Sequence, residues 1–337
     1  LKNTAKQLKE AFLMQEHIQQ LNQAISAITT YKVRNFFFVA CGGSMATLTP
    51  GQYVMEQESD FPAFVYSSNE FIHRNPHSLG KGSVVILCST SGNTPETVQA
   101  ATFAREKGAL TVAFSHLVDS PLWQAAEYRI HYSTGDEAAC NEYSNAMLYR
   151  LLFGMLQVWN PQPRYLALLE AIMTVYPENL QKTLADRANW AKELGKKYKR
   201  EPVIYTMGSG ICYAVAYSFA ICILMEMQWI HSHALHTGEF FHGPFEITDD
   251  NVPMILIKSI GDTRPLDERA EAFTKKFTDK LIVVDAETFQ MDGIPVESRK
   301  YFAPLFVAPV LRSFANELGA HRGHPLSVRR YMWKMEY

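Results

Sequence analysis

Residues 36–40, FFFVA, run five apolar side chains in a row into a glycine turn, CGGS. The same arrangement returns at PAFVYSS (62–68), SVVILCSTSGNT (83–94) and ALTVAFSH (109–116). A strand on a one-sided sheet alternates apolar with polar residues, whereas one without alternation needs both faces covered. Between the last two runs, TPETVQAATFAREKG (94–108) spaces its apolar residues for an amphipathic helix. Two-faced strands alternating with helices predict a parallel sheet held between helical layers.

The pattern restarts in the second half at PVIYTMGSG (202–210), VPMILIKS (252–259) and LIVVDA (281–286). DERAEAFTKKFTDK (267–280) reads as the helix between the last two, and a late apolar helix surrounds Pro309. Helical composition dominates from Asp136 to Trp159 and from Arg164 to about Tyr198, with interruptions at Pro161 and Pro163. The polar KKYKREP (196–202) then reads as the join. The expected organisation is a helical segment at 1–30, a first α/β domain at 31–195 and a second at 196–337.

Charge narrows the function classes. With 34 acidic against 32 basic residues and a net charge of -2, no overall field draws in a polyanion or an anionic membrane, so nucleic acid and lipid are not expected partners. Cys41, Cys88, Cys140, Cys212 and Cys222 form no CxxC pair and predict reduced, mostly buried thiols in a cytoplasmic protein. The leading LKNTAKQLKEAFLMQEHIQQLN lacks the apolar core of a signal peptide and reads as an amphipathic helix. ICYAVAYSFAICILMEMQWI (211–230) is almost long enough to span a bilayer, but it carries Glu226 and no flanking basic cluster. It is expected as a buried helix of a soluble core, and Glu226 then needs a partner or a task.

Ser89, Thr90, Ser91, Gly92 and Asn93 fall between an apolar strand and a helix opened by Thr94-Pro95-Glu96, which reads as an N-cap, a first-turn proline and an acidic residue. Open α/β sheets bind ligands at this place, and unpaired N–H groups of a helix start accept anions. Hydroxyls add donors without fixed charge, each worth roughly 1.5–3 kcal/mol to a charged oxygen. The plainer alternative is a Ser/Thr-rich loop that satisfies its own backbone. No lysine completes a GxxxxGK pattern, and CGGS lacks GxGxxG spacing, so neither a nucleotide loop nor a nicotinamide site is expected.

The segment MEMQWIHSHALHTGEFFHGPFEI (225–247) concentrates proton-transfer chemistry. A buried carboxylate such as Glu226 can act as base and then acid. His242, in a His-Gly-Pro turn, can exchange a proton near neutral pH without a metal. His231, His233 and His236 invite a zinc reading, but HExxH spacing and cysteines are missing, so they read as ordinary polar residues and no metal is expected. Glu239 reads equally as a turn carboxylate or an indirect contributor.

The ordered set CGGS (41–44), SSNEF (67–71), STSGNT (89–94) and GEFFHGP (238–244) resembles the sugar isomerase domain family, in the double-domain form of the isomerase half of glucosamine-6-phosphate synthase. The resemblance covers nearly the whole chain. It implies two three-layer α/β/α sandwich domains of flavodoxin-like type with mainly parallel sheets, and a phosphosugar bound mainly by the first. Carried over by motif, Ser89, Ser91 and Thr94 hold the phosphate, Thr90 stands where the synthase has Gln, and Ser44 faces the sugar or phosphate. Glu226, sixteen residues before His242, matches the proton-shuttling glutamate, and His242 matches the ring-opening histidine. In this family that histidine can come from a neighbouring subunit, so the resemblance implies a homodimer or higher homo-oligomer.

The departures matter as much. GDEAACNEYSN (135–145) replaces a GVASTK-like segment, and the tail VRRYMWKMEY (328–337) does not match the synthase's lysine motif, although Lys334 is a tail lysine. The amidotransferase domain has no counterpart in these residues. The chain therefore looks most like deglycases that cleave a 6-phosphorylated sugar–amino acid adduct, such as fructoselysine 6-phosphate, without metal, flavin, nicotinamide or pyridoxal. A plain aldose–ketose phosphate isomerase, a glucosamine-phosphate synthase or deaminase, and a non-catalytic sugar-phosphate sensor are the alternatives. For the amino-acid half of the substrate, Glu137, Glu142, Asp262, Arg264, Arg329 and Arg330 are candidates, each equally readable as a solvated charge.

Overall fold

The computed structural model describes residues 2–135 and 138–336, with side chains from residue 15 onward; Glu137 lies outside the described residues. The chain divides into two compact units, Leu1–Met173 and Thr174–Tyr337.

In the first unit, β1 (Asn35–Ala40), β2 (Ala63–Ser67), β3 (Ser83–Cys88), β4 (Leu110–Ser115) and β5 (Tyr128–His131) form one sheet in the order β2-β1-β3-β4-β5. Every pairing is parallel. β1, β3 and β4 are buried along their whole lengths, which is why their sequences do not alternate. The helices are α1 (Lys2–Thr30), α2 (Gly42–Glu58), α3 (Ser68–Arg74), α4 (Pro95–Glu106), α5 (Pro121–Ala125), α6 (Ser144–Trp159) and α7 (Pro163–Met173).

Alternate β1 side chains go to opposite layers. Phe37 and Val39 pack with Phe71, Ala100 and Ala104 of α3 and α4, whereas Phe36 meets Trp159 of α6 edge-on. On that second face α2 approaches so closely that a Cβ on Gly51 would overlap the Phe38 ring. Each buried phenylalanine contributes about 1.5–3 kcal/mol. α1 is tied to β5 by His17, which is fully buried and bonds His131 at 2.6 Å.

The second unit repeats the plan with β6 (Tyr205–Gly208), β7 (Ala234–His236), β8 (Met254–Lys258) and β9 (Leu281–Asp285), parallel throughout in the order β7-β6-β8-β9. Its helices are α8 (Tyr176–Tyr198), α9 (Tyr213–Tyr217), α10 (Arg264–Thr274) and α11 (Arg299–Arg322). The repetition reaches single residues: the glycine two places after β1 and the one two places after β6, Gly42 and Gly210, have φ of 52° and 50°. Two parallel-sheet α/β domains of flavodoxin-like order are present, as the alternating pattern predicts.

Several expectations need correction. The division falls at Met173, ahead of the polar stretch 196–202, because α8 belongs with the second unit: Tyr176 donates to the Leu305 carbonyl at 3.2 Å and Trp190 packs on Phe314 of α11. The described residues between 138 and 143 are not α-helical, and Pro163 starts a helix instead of interrupting one. β5 and β7 were not anticipated; they are four and three residues long and partly exposed.

The apolar 211–230 stretch is not one regular helix either. A 3₁₀ turn at Gly210–Cys212 leads into α9 and then a wide π-helical stretch, Ser218–Met227. Gly210–Met227 is the one stretch among the described residues long and apolar enough to cross a membrane, and 56% of it is buried. Cys88, Cys212 and Cys222 are buried, and Cys41 and Cys140 are partly exposed.

Candidate active site

In the first unit the strand order reverses direction between β1 and β3, and the ends of those two strands present Ser44 and the Ser89–Thr94 turn side by side. The link runs through Cys88, whose thiol lies beside the Ser44 and Tyr132 hydroxyls; burial pushes that thiol up to about 11 and keeps it protonated. Burial also raises the Tyr132 phenol, and its O–H donates to Thr90 Oγ1 at 2.9 Å. Sequence reading missed Tyr132. The signal was its place just past β5, at the carboxyl edge of the sheet, but β5 itself was not recognised.

The turn satisfies its own backbone and still keeps protons for a ligand. Ser89 Oγ accepts from Gly92 N–H at 3.1 Å, and Ser91 Oγ accepts from Asn93 N–H at 3.2 Å. Thr90 Oγ1 accepts from Tyr132, so the hydroxyl protons of Thr90 and Ser91 remain available, and both residues are exposed. Ser89 and Thr94 share a bond at 2.9 Å, leaving one proton between them. Thr94 occupies the N-cap position as expected, but its hydroxyl makes no capping bond because it is turned to Ser89. Gly92, at φ +64°, is fixed by more than conformation, since a Cβ there would overlap the Ser120 hydroxyl.

In the second unit Glu226 sits near the end of the π-helical stretch, with its side chain 26% exposed. Its partner is Arg329, at 2.8 Å, itself only 7% exposed. Arg329 also donates to the carbonyls of Leu326 at 2.7 Å and Val328 at 2.9 Å, so the tail is folded around the guanidinium. Glu226 and Arg329 line a cleft of about 620 Å³ together with Trp229, His231, Arg330 and Tyr331. Met225 and Ile230 give that cleft apolar wall. Such a chamber suits a substrate that must meet one carboxylate in a partly dry setting.

The chain matches the SIS domain family over residues 30–156 and 197–290. It belongs to that family. Over 309 residues it is 51% identical to the fructosamine deglycase FrlB of Bacillus subtilis, a match covering 90% of this chain and 93% of that one. It is 28% identical to the fructoselysine 6-phosphate deglycase of Escherichia coli over 300 residues, covering 89% and 85%. A Bacillus subtilis crystal structure described as a candidate phosphosugar isomerase superposes with a TM-score of 0.92 at 48% identity, covering 95% of this chain and 97% of the other.

The second SIS domain carries a turn in register with the first: Ser259 follows β8 as Ser89 follows β3, and Pro265 lies in the first turn of its helix as Pro95 does. Here the donors are consumed internally. Fully buried Asp267 accepts from Ser209 Oγ and Thr237 Oγ1 at 2.7 Å each, and from both the N–H and the Oγ of Ser259 at 2.9 Å. Thr97 holds the position corresponding to Asp267 in the first SIS domain, and its hydroxyl pairs with that of Ser68 on α3 at 2.9 Å. A carboxylate thus occupies the second turn from within.

His242 is an exposed turn residue just before Gly243 at φ +131°, and it does not line the Glu226 cleft. His231 does line it; His236 accepts from Gly238 N–H at 3.1 Å and packs on Tyr213, while His233 and Glu239 are exposed. Among the described residues no cluster of three or more His, Cys, Asp or Glu is arranged to hold a metal. Lys334 is exposed and lies outside the cleft lining.

Of the charges considered for an amino-acid group, Arg264 is committed to Asp285 at 2.7 Å and to Glu287 and Glu268, and Glu142 to Ser133 and His17. Asp262 is exposed on its turn. Among the five of these residues that the structure describes, Arg329 and Arg330 alone line the cleft. Their spacing of about a hundred residues from Glu226 left no sequence signal for that meeting.

Proposed function

We propose that this SIS-domain protein is a deglycase that hydrolyses 6-phosphorylated fructosamines, fructoselysine 6-phosphate among them, to glucose 6-phosphate and the free amine. The observation that carries this reading is the nearly full-length 51% identity to a fructosamine deglycase. The open hydroxyl turn and the Glu226 cleft supply the parts that chemistry needs.

In the proposed sequence the donors of Ser89, Thr90, Ser91 and Thr94, with Ser44 beside them, hold the phosphate, and this binding energy positions the reacting carbons. His242 moves a proton from the anomeric hydroxyl to the ring oxygen and opens the sugar. Glu226 takes a proton from C1 of the open-chain aminoketose, forming an enaminol, and returns a proton to C2, which leaves an imine at C1. Water adds to the imine, the C1–N bond breaks, and the aldose phosphate and amine leave. No electrons are exchanged with a cofactor, and a placed general base contributes about 10²–10⁴-fold. Arg329 holds the Glu226 carboxylate in one orientation. His242 is exposed on its turn, which supports its service to a neighbouring copy in a homodimer or larger homo-oligomer, with the reaction in the cytoplasm. Lys334, outside the cleft lining, has no step in this sequence.

The test is incubation of the protein with phosphorylated adducts of lysine, asparagine and glycine, measuring glucose 6-phosphate and amine together. Equal amounts of the two products are expected. Sugar phosphate interconversion without amine release would mark a plain isomerase, and ammonia dependence a synthase or deaminase. Tight ester binding with no turnover would mark a sensor.

A further inference from the structure

The cleft beside Glu226 contains an assembly that the proton transfers above do not use. Trp229 lies three residues after Glu226 and has φ of +56°, a left-handed conformation that strains a bulky side chain. It is also 40% exposed. A large aromatic side chain held at a strained backbone position without burial gains little for the fold. The surroundings hold it there: His324 meets the ring edge at 4.5 Å between centroids, Gln228 donates to the His324 carbonyl at 2.7 Å, and Arg322 donates to the Gln228 carbonyl at 3.2 Å.

Over the same indole lies Arg330, its guanidinium carbon 4.2 Å from the ring centre and 5.9 Å from that of Tyr331. Stacking fixes the plane of a guanidinium while leaving its N–H edge open, the geometry that takes a carboxylate on two parallel bonds. The two neighbouring arginines differ in this respect. Arg329 is buried and paired with Glu226, whereas Arg330 is exposed and has no carboxylate partner among the described residues. Both line the one cleft, as do Trp229 and Tyr331.

We propose that Arg330, stacked on Trp229, is the specificity residue for the amine half of the substrate, binding the carboxylate of a glycated amino acid whose carbon chain lies along the Trp229 and Tyr331 rings. The enzyme thereby distinguishes amino-acid adducts from adducts of simple amines. This rests on the deglycase reading for the identity of the substrate, but it can be tested without turnover.

The probes are unreactive reduced adducts, in which the fructosyl carbonyl is an alcohol, prepared in two matched pairs that differ by a carboxylate: lysine against 1,5-diaminopentane, and glycine against methylamine, each carrying the 6-phosphate. Calorimetry on the full chain is expected to show the carboxylate member binding about 10- to 100-fold more tightly in at least one pair. Arg330→Met is expected to bring that ratio within twofold, and Glu226→Gln to preserve it, with thermal melts confirming that both variants fold. Ratios near one for the parent protein in both pairs would overturn the proposal, as would a preference untouched by Arg330→Met. Turnover assays run alongside separate the two readings. Preference without hydrolysis of any adduct sinks the deglycase function and leaves the carboxylate site standing; hydrolysis without preference does the reverse.

Discussion

The turns after β3 and β8 stand at the same place in their domains and have opposite fates. Each follows a buried parallel strand, starts with serine and ends at a helix whose first turn holds a proline. In the first unit, Thr90 and Ser91 keep their hydroxyl protons facing solvent. In the second, the Ser259 N–H and Oγ both end on the buried Asp267 carboxylate. The difference teaches that one aspartate in the following helix consumes the donors of a strand-end turn from within, whereas without it the turn keeps them for a ligand, the anion seat of the proposed function. The duplicated domain is then free to specialise, carrying Glu226 and its cleft while the first carries the open seat.

The comparison breaks most visibly if catalysis and ester binding do not separate between the units. Glu226→Gln is expected to lower kcat by about 10²–10⁴-fold while affinity for glucitol 6-phosphate stays within twofold. Steady-state kinetics with calorimetry check this, and near-normal turnover would remove Glu226 from the mechanism.

Next in size is the filled seat. Asp267→Ala leaves the donors of Ser209, Thr237 and Ser259 without their acceptor, costing about 3 kcal/mol or more in stability. Thermal and urea melts should show a clear fall with KM unchanged in whatever fraction remains folded. A variant as stable as the parent would mean that the carboxylate is not the seat's occupant in any energetic sense.

A mirrored pair of serine substitutions sharpens the contrast. Ser89→Ala is expected to raise KM by about 10-fold or more, because the open turn loses a donor to the phosphate. Ser259→Ala should leave KM alone and lower the melting temperature. Equal effects on KM from the two changes would erase the distinction between the turns.

The smallest expected effect concerns pH. Behind the second seat, burial works against the charge of Asp285, yet hydrogen bonds from Arg264 and from the Glu287 N–H hold its carboxyl down, from 3.8 to about 2. A carboxyl lowered on folding adds stability above its unfolded value and loses that contribution as pH falls through the folded one, here from about 4 to about 2. Urea melts across that window should be less steep in pH for Asp285→Asn than for the parent, and identical slopes would count against the pairing.

Much of this could be read from the chain itself, for physical reasons that also mark the limit. FFFVA and SVVILC announce two-faced strands because burial leaves no room for polar alternation, and STSGNTPE announces a strand-to-helix turn by composition alone. What stayed hidden was set by contacts distant in sequence. Tyr132 reaches Thr90 across 42 residues. Asp267 reads as an ordinary acidic residue in a first helical turn until Ser209 and Thr237 are folded against it. Arg329 reads as a solvated tail charge until the tail wraps it onto Glu226. Short, partly exposed strands such as β5 and β7 lack the length for any periodic signal.

The most direct test is a crystal structure of Glu226→Gln with a reduced 6-phosphorylated lysine adduct. The phosphate is expected within hydrogen-bond distance of the Ser89–Thr94 hydroxyls, with C1 or C2 of the sugar against the residue 226 side chain. A phosphate seated at Ser259–Arg264, or a sugar chain that meets residue 226 in no subunit, would contradict the division of labour between the two domains.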